Sequence, residues 1–159
     1  VFLEHKWIYR RIKEIVSDDP DHLVPIGKAD VKREGTDVSV ITHGMMVHLA
    51  LEAAETLATE GIAVEVLDLR TVQPLDEEAI LGTVTRTSRA IVLSESQRYL
   101  STAAEVASLI AEEAFESLDA PVVRLTPPHV PVPFSPPLED AYLPQVSDIE
   151  DAVRKLSAW

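Results

Sequence analysis

From Asp37 onward the chain alternates short apolar runs with longer stretches whose apolar positions recur every three or four residues. "DVSVIT" (37–42) is a nearly continuous apolar run with Gly44 just beyond it, the signature of a buried strand with a tight exit. In "MMVHLALEAAETLATEG" the residues Met46, Leu49, Ala50, Ala53 and Leu57 fall on one helical face, and Gly61 is placed to end the helix. "AVEVLDL" (63–69), "RAIVLSE" (89–95) and "APVVRLT" (120–126) repeat the strand signature, with "QPLDEEAILGTVTRT" and "STAAEVASLIAEEAFESL" as helices between them. Thr102 with Glu105, and Ser147 with Glu150, have capping-box spacing, the second pair opening a last helix in "DIEDAVRKLSAW". Strands joined by crossover helices predict an α/β fold, a three-layer αβα sandwich around a mostly parallel sheet.

Two regions break this rhythm. Val1–Leu3 read as an apolar strand already under way, so the chain is expected to open inside a preceding domain. Residues 15–36, rich in charge with two prolines and two glycines, read as a linker. The expected organisation is a remnant strand and its surroundings over 1–14, a linker over 15–36, and the α/β domain over 37–159. Between Pro127 and Pro144 lie seven prolines, which predict an extended segment poor in internal hydrogen bonds. Val130, Val132, Phe134, Tyr142 and Leu143 are expected to pack that segment on the body.

Charge changes the picture more than composition does. The formal net charge is −13, yet residues 1–35 hold seven acidic side chains against seven Lys or Arg, so the whole excess falls in residues 36–159. An acidic body repels phosphate backbones and anionic lipid, which excludes nucleic acid and membrane surfaces as expected partners. No apolar run approaches the roughly 18 residues of a membrane span. The chain has no cysteine, which removes disulfides, zinc fingers and thiol nucleophiles and fits a reducing cytoplasmic location.

Candidate chemistry belongs at the carboxyl ends of the strands. "THGMMVH" carries neither a dinucleotide fingerprint nor a phosphate-binding loop. His43 and His48 lie five apart, on different faces of a helix, which disfavours a shared metal. Asp68 and Arg70 are placed to pair with each other. Ser94, Glu95, Ser96 and Arg98 form the most polar strand exit, without the GxSxG elbow of a hydrolase. Asp76, Glu77 and Glu78 read as capping residues at a helix start, and His129 is a lone histidine among prolines.

"VLDLRTVQPLDEEAI", together with "VFLEHKWIYR", "PIGKADVKREGTDVSVITHG", "RAIVLSESQR" and "LDAPVVRLTPPHVPVPF", resembles the beta subunits of the thiamine-diphosphate-dependent decarboxylating component of 2-oxo acid dehydrogenase complexes, of pyruvate, branched-chain or acetoin type. The resemblance covers the whole chain. It implies a transketolase-like C-terminal domain that serves subunit association and docking, within an enzyme that oxidatively decarboxylates a 2-oxo acid and passes the acyl group to lipoyl. It implies thiamine diphosphate and magnesium in the complete enzyme, held outside these residues, so that none is expected bound here, no catalytic, cofactor or metal residue is assigned, and the chain alone is expected to be inactive. The implied partners are an alpha subunit, a second beta subunit and the basic subunit-binding domain of the acyltransferase component. Asp119 in "LDAP" and the terminal carboxylate of Trp159 are the implied contacts for that basic domain, and complementary charge would chiefly speed and select its association. The family commonly has aspartate where His129 stands in "PPHVPVP", which leaves that loop without an implied role. A related transketolase-type enzyme and a stand-alone α/β ligand-binding protein are the alternatives.

Overall fold

The computed structural model describes residues 1–13 and 15–159. Five strands form one sheet in the order β1-β3-β2-β4-β5: β1 (Asp30–Arg33), β2 (Val38–Thr42), β3 (Val64–Asp68), β4 (Ala90–Leu93) and β5 (Val123–Leu125). β2 pairs parallel with β3 and β4, and β4 with β5, while β1 lies antiparallel on the outside of β3. The expected mostly parallel sheet is present, with an antiparallel edge added.

The central strands owe their position to sequence. Every residue of β2 and of β4 is buried, as a strand covered on both faces requires. Alternate residues supply the two cores. Val38, Val40, Val64, Val66, Ile91 and Leu93 point into one core, covered by α1 (Met45–Thr59) and α5 (Val146–Ser157). Ile41, Leu67, Ala90 and Val92 point into the other, covered by α2 (Glu77–Thr87) and α3 (Thr102–Glu113). The helices therefore lie on both faces, which makes the three layers.

Local signals explain where the helices stop and start. α1 ends at Glu60 and turns at Gly61, whose φ of 84° is open to glycine at no steric cost. Asp76 caps α2 by accepting the Ala79 N–H at 3.3 Å, and its second oxygen accepts the Ala29 N–H at 3.0 Å. One carboxylate thus starts a helix and ties the segment before β1 to the body. Burial pushes Asp76 upward, but the Ala29 and Ala79 N–H groups and the Lys28 ammonium outweigh it and hold the carboxyl below its ordinary range.

Several expectations need correction. Residues 30–33, read as linker, form the edge strand β1; their burial pattern is half in and half out, and an edge strand against β3 needs no continuous apolar run. Gly35 makes the join from β1 to β2 possible, because a Cβ there would collide with the Val64–Glu65 backbone. Val1–Leu3 form no strand and are exposed, since they have no strand to pair with among the described residues; a 3₁₀ turn follows at Lys6–Arg10. Glu14, the last residue of the expected remnant, lies outside the described residues. α3 is capped at Ser101 without a side-chain bond, so the Thr102–Glu105 box is not formed, and the helix gives way at Ala114 to a 3₁₀ turn at Phe115–Ser117. α5 starts two residues earlier than the Ser147–Glu150 reading, with Asp148 accepting the Gln145 N–H at 2.9 Å.

The proline-rich segment departs most. It contains a helix, α4 (Pro136–Tyr142), opened by Pro136 and Pro137 in the first-turn positions where a missing N–H costs nothing. Tyr142 is buried and Leu143 partly so, but Val130, Val132 and Phe134 face solvent.

Candidate functional site

The doubly wound order places the reversal of direction between β2 and β4: the chain leaves β2 toward β3, and leaves β4 toward β5. The crevice outside their carboxyl ends is where such sheets hold ligands. Here it gathers His43 after β2, Asp68 at the end of β3, and Ser94 and Glu95 after β4. Glu95 lies 3.1 Å from His5 Nε2, which brings the N-terminal segment onto the sheet end. Burial pulls the His43 imidazole below its ordinary value near 6.5, opposed by the charges of Glu95 and Asp68. Thr42 Oγ1 is buried beside this cluster without a partner among the described residues.

The predicted residues are thus only partly assembled. Ser94 Oγ accepts the Ser96 N–H at 3.0 Å and so shapes its own loop. Asp68 accepts Arg70's backbone N–H at 3.0 Å, but the Arg70 guanidinium reaches Asp30 on β1 at 2.5 Å, which corrects the expected Asp68–Arg70 pair. Asp30 also meets Lys32 at 2.8 Å, and that bond first, with Arg70 adding, holds its carboxyl below the usual range against the opposing effect of burial. His129 packs edge-on against Tyr99, ring centres 4.8 Å apart. Arg98 and Arg124 were not paired by spacing, yet each donates to the other's backbone carbonyl, at 3.3 and 3.1 Å.

The opposite end of the sheet has a different character. α1, α2 and α3 run back from the carboxyl ends, so their C-termini, the negative ends of their dipoles, collect at the amino ends of the strands. α1 and α3 have no basic residue in the last turn to offset this. Glu112, Glu113, Glu116 and Asp119 are exposed there, with Phe115 among them. Asp119 anchors its backbone on the Ser88 carbonyl at 2.9 Å and stands 3.6 Å from Arg89 Nη2, leaving the carboxylate 61% exposed. α5 brings Trp159 to the same end: Arg154 bonds Glu60, the C-cap of α1, at 2.7 Å, and Trp159 follows one turn later, 68% exposed. Asp119 and Trp159 therefore share the amino-end face.

Asp68 and Glu95 at the crevice would oppose a phosphate, no glycine-rich loop precedes α1, and the described residues hold no group of three or more His, Cys, Asp or Glu able to bind a metal. No helix among them is long and apolar enough to cross a membrane.

Sequence and fold comparisons agree with this architecture. The model of the transketolase C-terminal domain matches residues 27–149, and the chain belongs to that family. Over all of its length it is 46% identical to the 2-oxoisovalerate dehydrogenase subunit beta of Bacillus subtilis, of which it covers 49%. It is also 46% identical to the pyruvate dehydrogenase E1 component subunit beta of the same organism, over 98% of the chain and 47% of the relative. The acetoin:2,6-dichlorophenolindophenol oxidoreductase subunit beta of Cupriavidus necator is 44% identical over 98% of the chain and 45% of its own length. The chain thus spans about half the length of the curated relatives it matches. Among solved structures, a split-gene transketolase described as an inactive beta4 tetramer superposes with a TM-score of 0.76 at 30% identity, over 92% of this chain and 46% of that one. The family match begins at Gly27, before β1, in accord with the edge strand being part of the domain.

Proposed function

We propose that this chain is the C-terminal assembly domain of a beta subunit of a 2-oxo acid dehydrogenase, acting through its surfaces and not through an active site of its own. The complete enzyme would join it to an alpha subunit and a second beta subunit. That enzyme would hold thiamine diphosphate and magnesium outside these residues, decarboxylate a 2-oxo acid oxidatively in the cytoplasm and pass the acyl group to lipoyl. The names of the relatives support this reading, all three being beta subunits of oxidoreductases.

The observation that carries the docking role is the amino-end face. The C-terminus of α3, with no basic residue in its last turn, and the exposed carboxylates of Glu112, Glu113 and Glu116 lie at the same end as Asp119, with the aromatic surfaces of Phe115 and Trp159 exposed on the same side. A small basic domain would meet long-range attraction there and apolar anchors at contact, the division of labour that gives fast and selective association. The test is calorimetric titration of a basic subunit-binding domain into the chain across a salt series. Binding at low salt that weakens steadily as salt rises supports the reading; absence of binding at low salt, or indifference to salt, contradicts it.

A second reading, the corresponding domain of another transketolase-type enzyme, is favoured by the description of the solved relative as a transketolase. Thiamine diphosphate titrated into the chain bears on the third alternative, a stand-alone ligand-binding protein, since the assembly-domain reading expects no heat of binding.

A further inference from the structure

At the β5 edge of the sheet two arginines stand apart from the acidic character of the domain. β5 is the last strand in the sheet order and carries Arg124, partly buried, while Arg98 is exposed in the loop after β4. Arg98 Nη1 donates to the Arg124 carbonyl at 3.3 Å, and Arg124 Nη1 donates to the Arg98 carbonyl at 3.1 Å. Each guanidinium is held by the other residue's backbone, so the rotamer freedom of an ordinary surface arginine is already lost before any ligand arrives. One residue further along, the Tyr99 ring meets His129 edge-on, ring centres 4.8 Å apart. The loop after β4 and the segment that contains β5 and its exit therefore touch at both Arg98 and Tyr99.

What the two guanidinium groups lack is a counter-charge. Arg70, Arg86, Arg89 and Arg154 each meet a carboxylate, whereas Arg98 and Arg124 meet none among the described residues, in a chain with 27 acidic side chains. Glu95, three residues before Arg98, is met by His5 Nε2 at 3.1 Å. Neutral carbonyl acceptors consume few donors and no charge, so both guanidinium groups keep most of their N–H groups for a ligand. Fork-shaped donors fit the paired oxygens of an oxyanion, and two positive charges match the dianion of a phosphate monoester better than the single charge of a carboxylate. Tyr99, 60% exposed, and the exposed His129 add a hydroxyl, an imidazole N–H and ring surface next to them.

We propose that Arg98 and Arg124 bind the phosphoryl group of a small phosphate monoester whose organic part lies against Tyr99 and His129. The site does not depend on the docking role of the amino-end face. A purely structural role for the pair, stapling the loop to β5, would give the same two backbone bonds but no affinity for phosphate.

The test is titration of phenyl phosphate, inorganic phosphate and benzoate into the isotope-labelled chain at constant ionic strength, read by NMR at the amides of residues 98–100 and 124–129 and at the arginine side chains. Saturable shifts are expected there with both phosphates, and benzoate is expected to bind at least about tenfold more weakly. Arg98→Gln removes one fork and is expected to weaken both phosphates at least about tenfold. Arg98→Lys keeps the charge without the fork, should weaken them by a smaller factor, and decides the matter if the glutamine variant fails to fold. Tyr99→Ala is expected to weaken phenyl phosphate about threefold and to leave inorganic phosphate unchanged. An amide spectrum unchanged outside the substituted segment shows that a variant is folded. Absence of saturable shifts with either phosphate overturns the proposal, as does benzoate binding as tightly as phenyl phosphate, or a folded Arg98 variant that binds both phosphates like the wild type. Inorganic phosphate bound more tightly than phenyl phosphate overturns the choice of an ester, and so does a Tyr99→Ala chain that keeps full affinity for phenyl phosphate.

Discussion

The two ends of the sheet are made from the same five strands and differ in how their charges are spent. At the carboxyl end Glu95 is met by His5 and flanked by His43, Asp30 is met by Arg70 and Lys32, and Asp76 is consumed by two backbone N–H groups. At the amino end Arg154 neutralises Glu60 and Glu150 and Arg89 stands near Asp119, but Glu112, Glu113 and Glu116 are exposed at the C-terminus of α3 without an ion pair among the described residues. The difference teaches that in this domain most carboxylates at the usual ligand crevice are paired within the chain, while the less usual end keeps an excess of unpaired ones. A satisfied cluster holds segments in place; an unbalanced one attracts a partner.

The largest test of the comparison removes what both ends share. Glu65 in β3 is fully buried, and its carboxylate is met by Arg86 Nε at 2.8 Å and Nη2 at 3.1 Å. Arg86→Met strands that charge in the core and is expected to cost about 3 kcal/mol of unfolding free energy by denaturant titration, weakening both ends together. A loss under about 1 kcal/mol would show that water reaches Glu65.

Next in size is Asp119→Lys, which reverses charge at the amino end alone. It is expected to weaken a basic docking domain by about tenfold at low salt, with unchanged melting temperature, as read by calorimetry. Asp76→Ala acts at the other end, removing the cap of α2 and the tether to Ala29, at an expected cost of about 1–2 kcal/mol. Because its folded pKa lies below its ordinary value, the Asp76 contribution is complete above that value, near 3.8, and is lost as pH falls through the folded one; the variant's acid unfolding curve should flatten there.

The smallest effect belongs to His43. Its folded pKa is depressed by burial, so the unfolded chain takes up the proton first; stability is complete above the ordinary value near 6.5 and declines as pH falls below it. His43→Gln should show a smaller drop in melting temperature between pH 7 and pH 5 than the wild type. An equal drop would assign the pH dependence to other groups.

How much of this was legible depended on the range of the signal. β2 and β4 announced themselves because a strand buried on both faces must be apolar throughout, and Asp76 and Gly61 because caps act within a turn of their own position. β1 was hidden because "DVKR" follows no apolar pattern and is a strand only by pairing with β3. α4 was hidden because two prolines that end a helix in its interior are permitted at its start. Arg70 with Asp30, Arg86 with Glu65 and Arg98 with Arg124 are separated by 40, 21 and 26 residues, and no local spacing rule reaches so far. The grouping of Asp119 with Trp159 came from family resemblance; their placement at one end follows from the helix directions and the Arg154–Glu60 bond.

Amide hydrogen exchange of the chain, with and without a basic subunit-binding domain at low salt, reads both ends in one experiment. The account predicts new protection around Asp119 and along the final turn leading to Trp159, with exchange in the Glu95–Ser101 and His129–Phe134 loops unchanged. Protection that falls on those carboxyl-end loops while the amino end exchanges as before would contradict it.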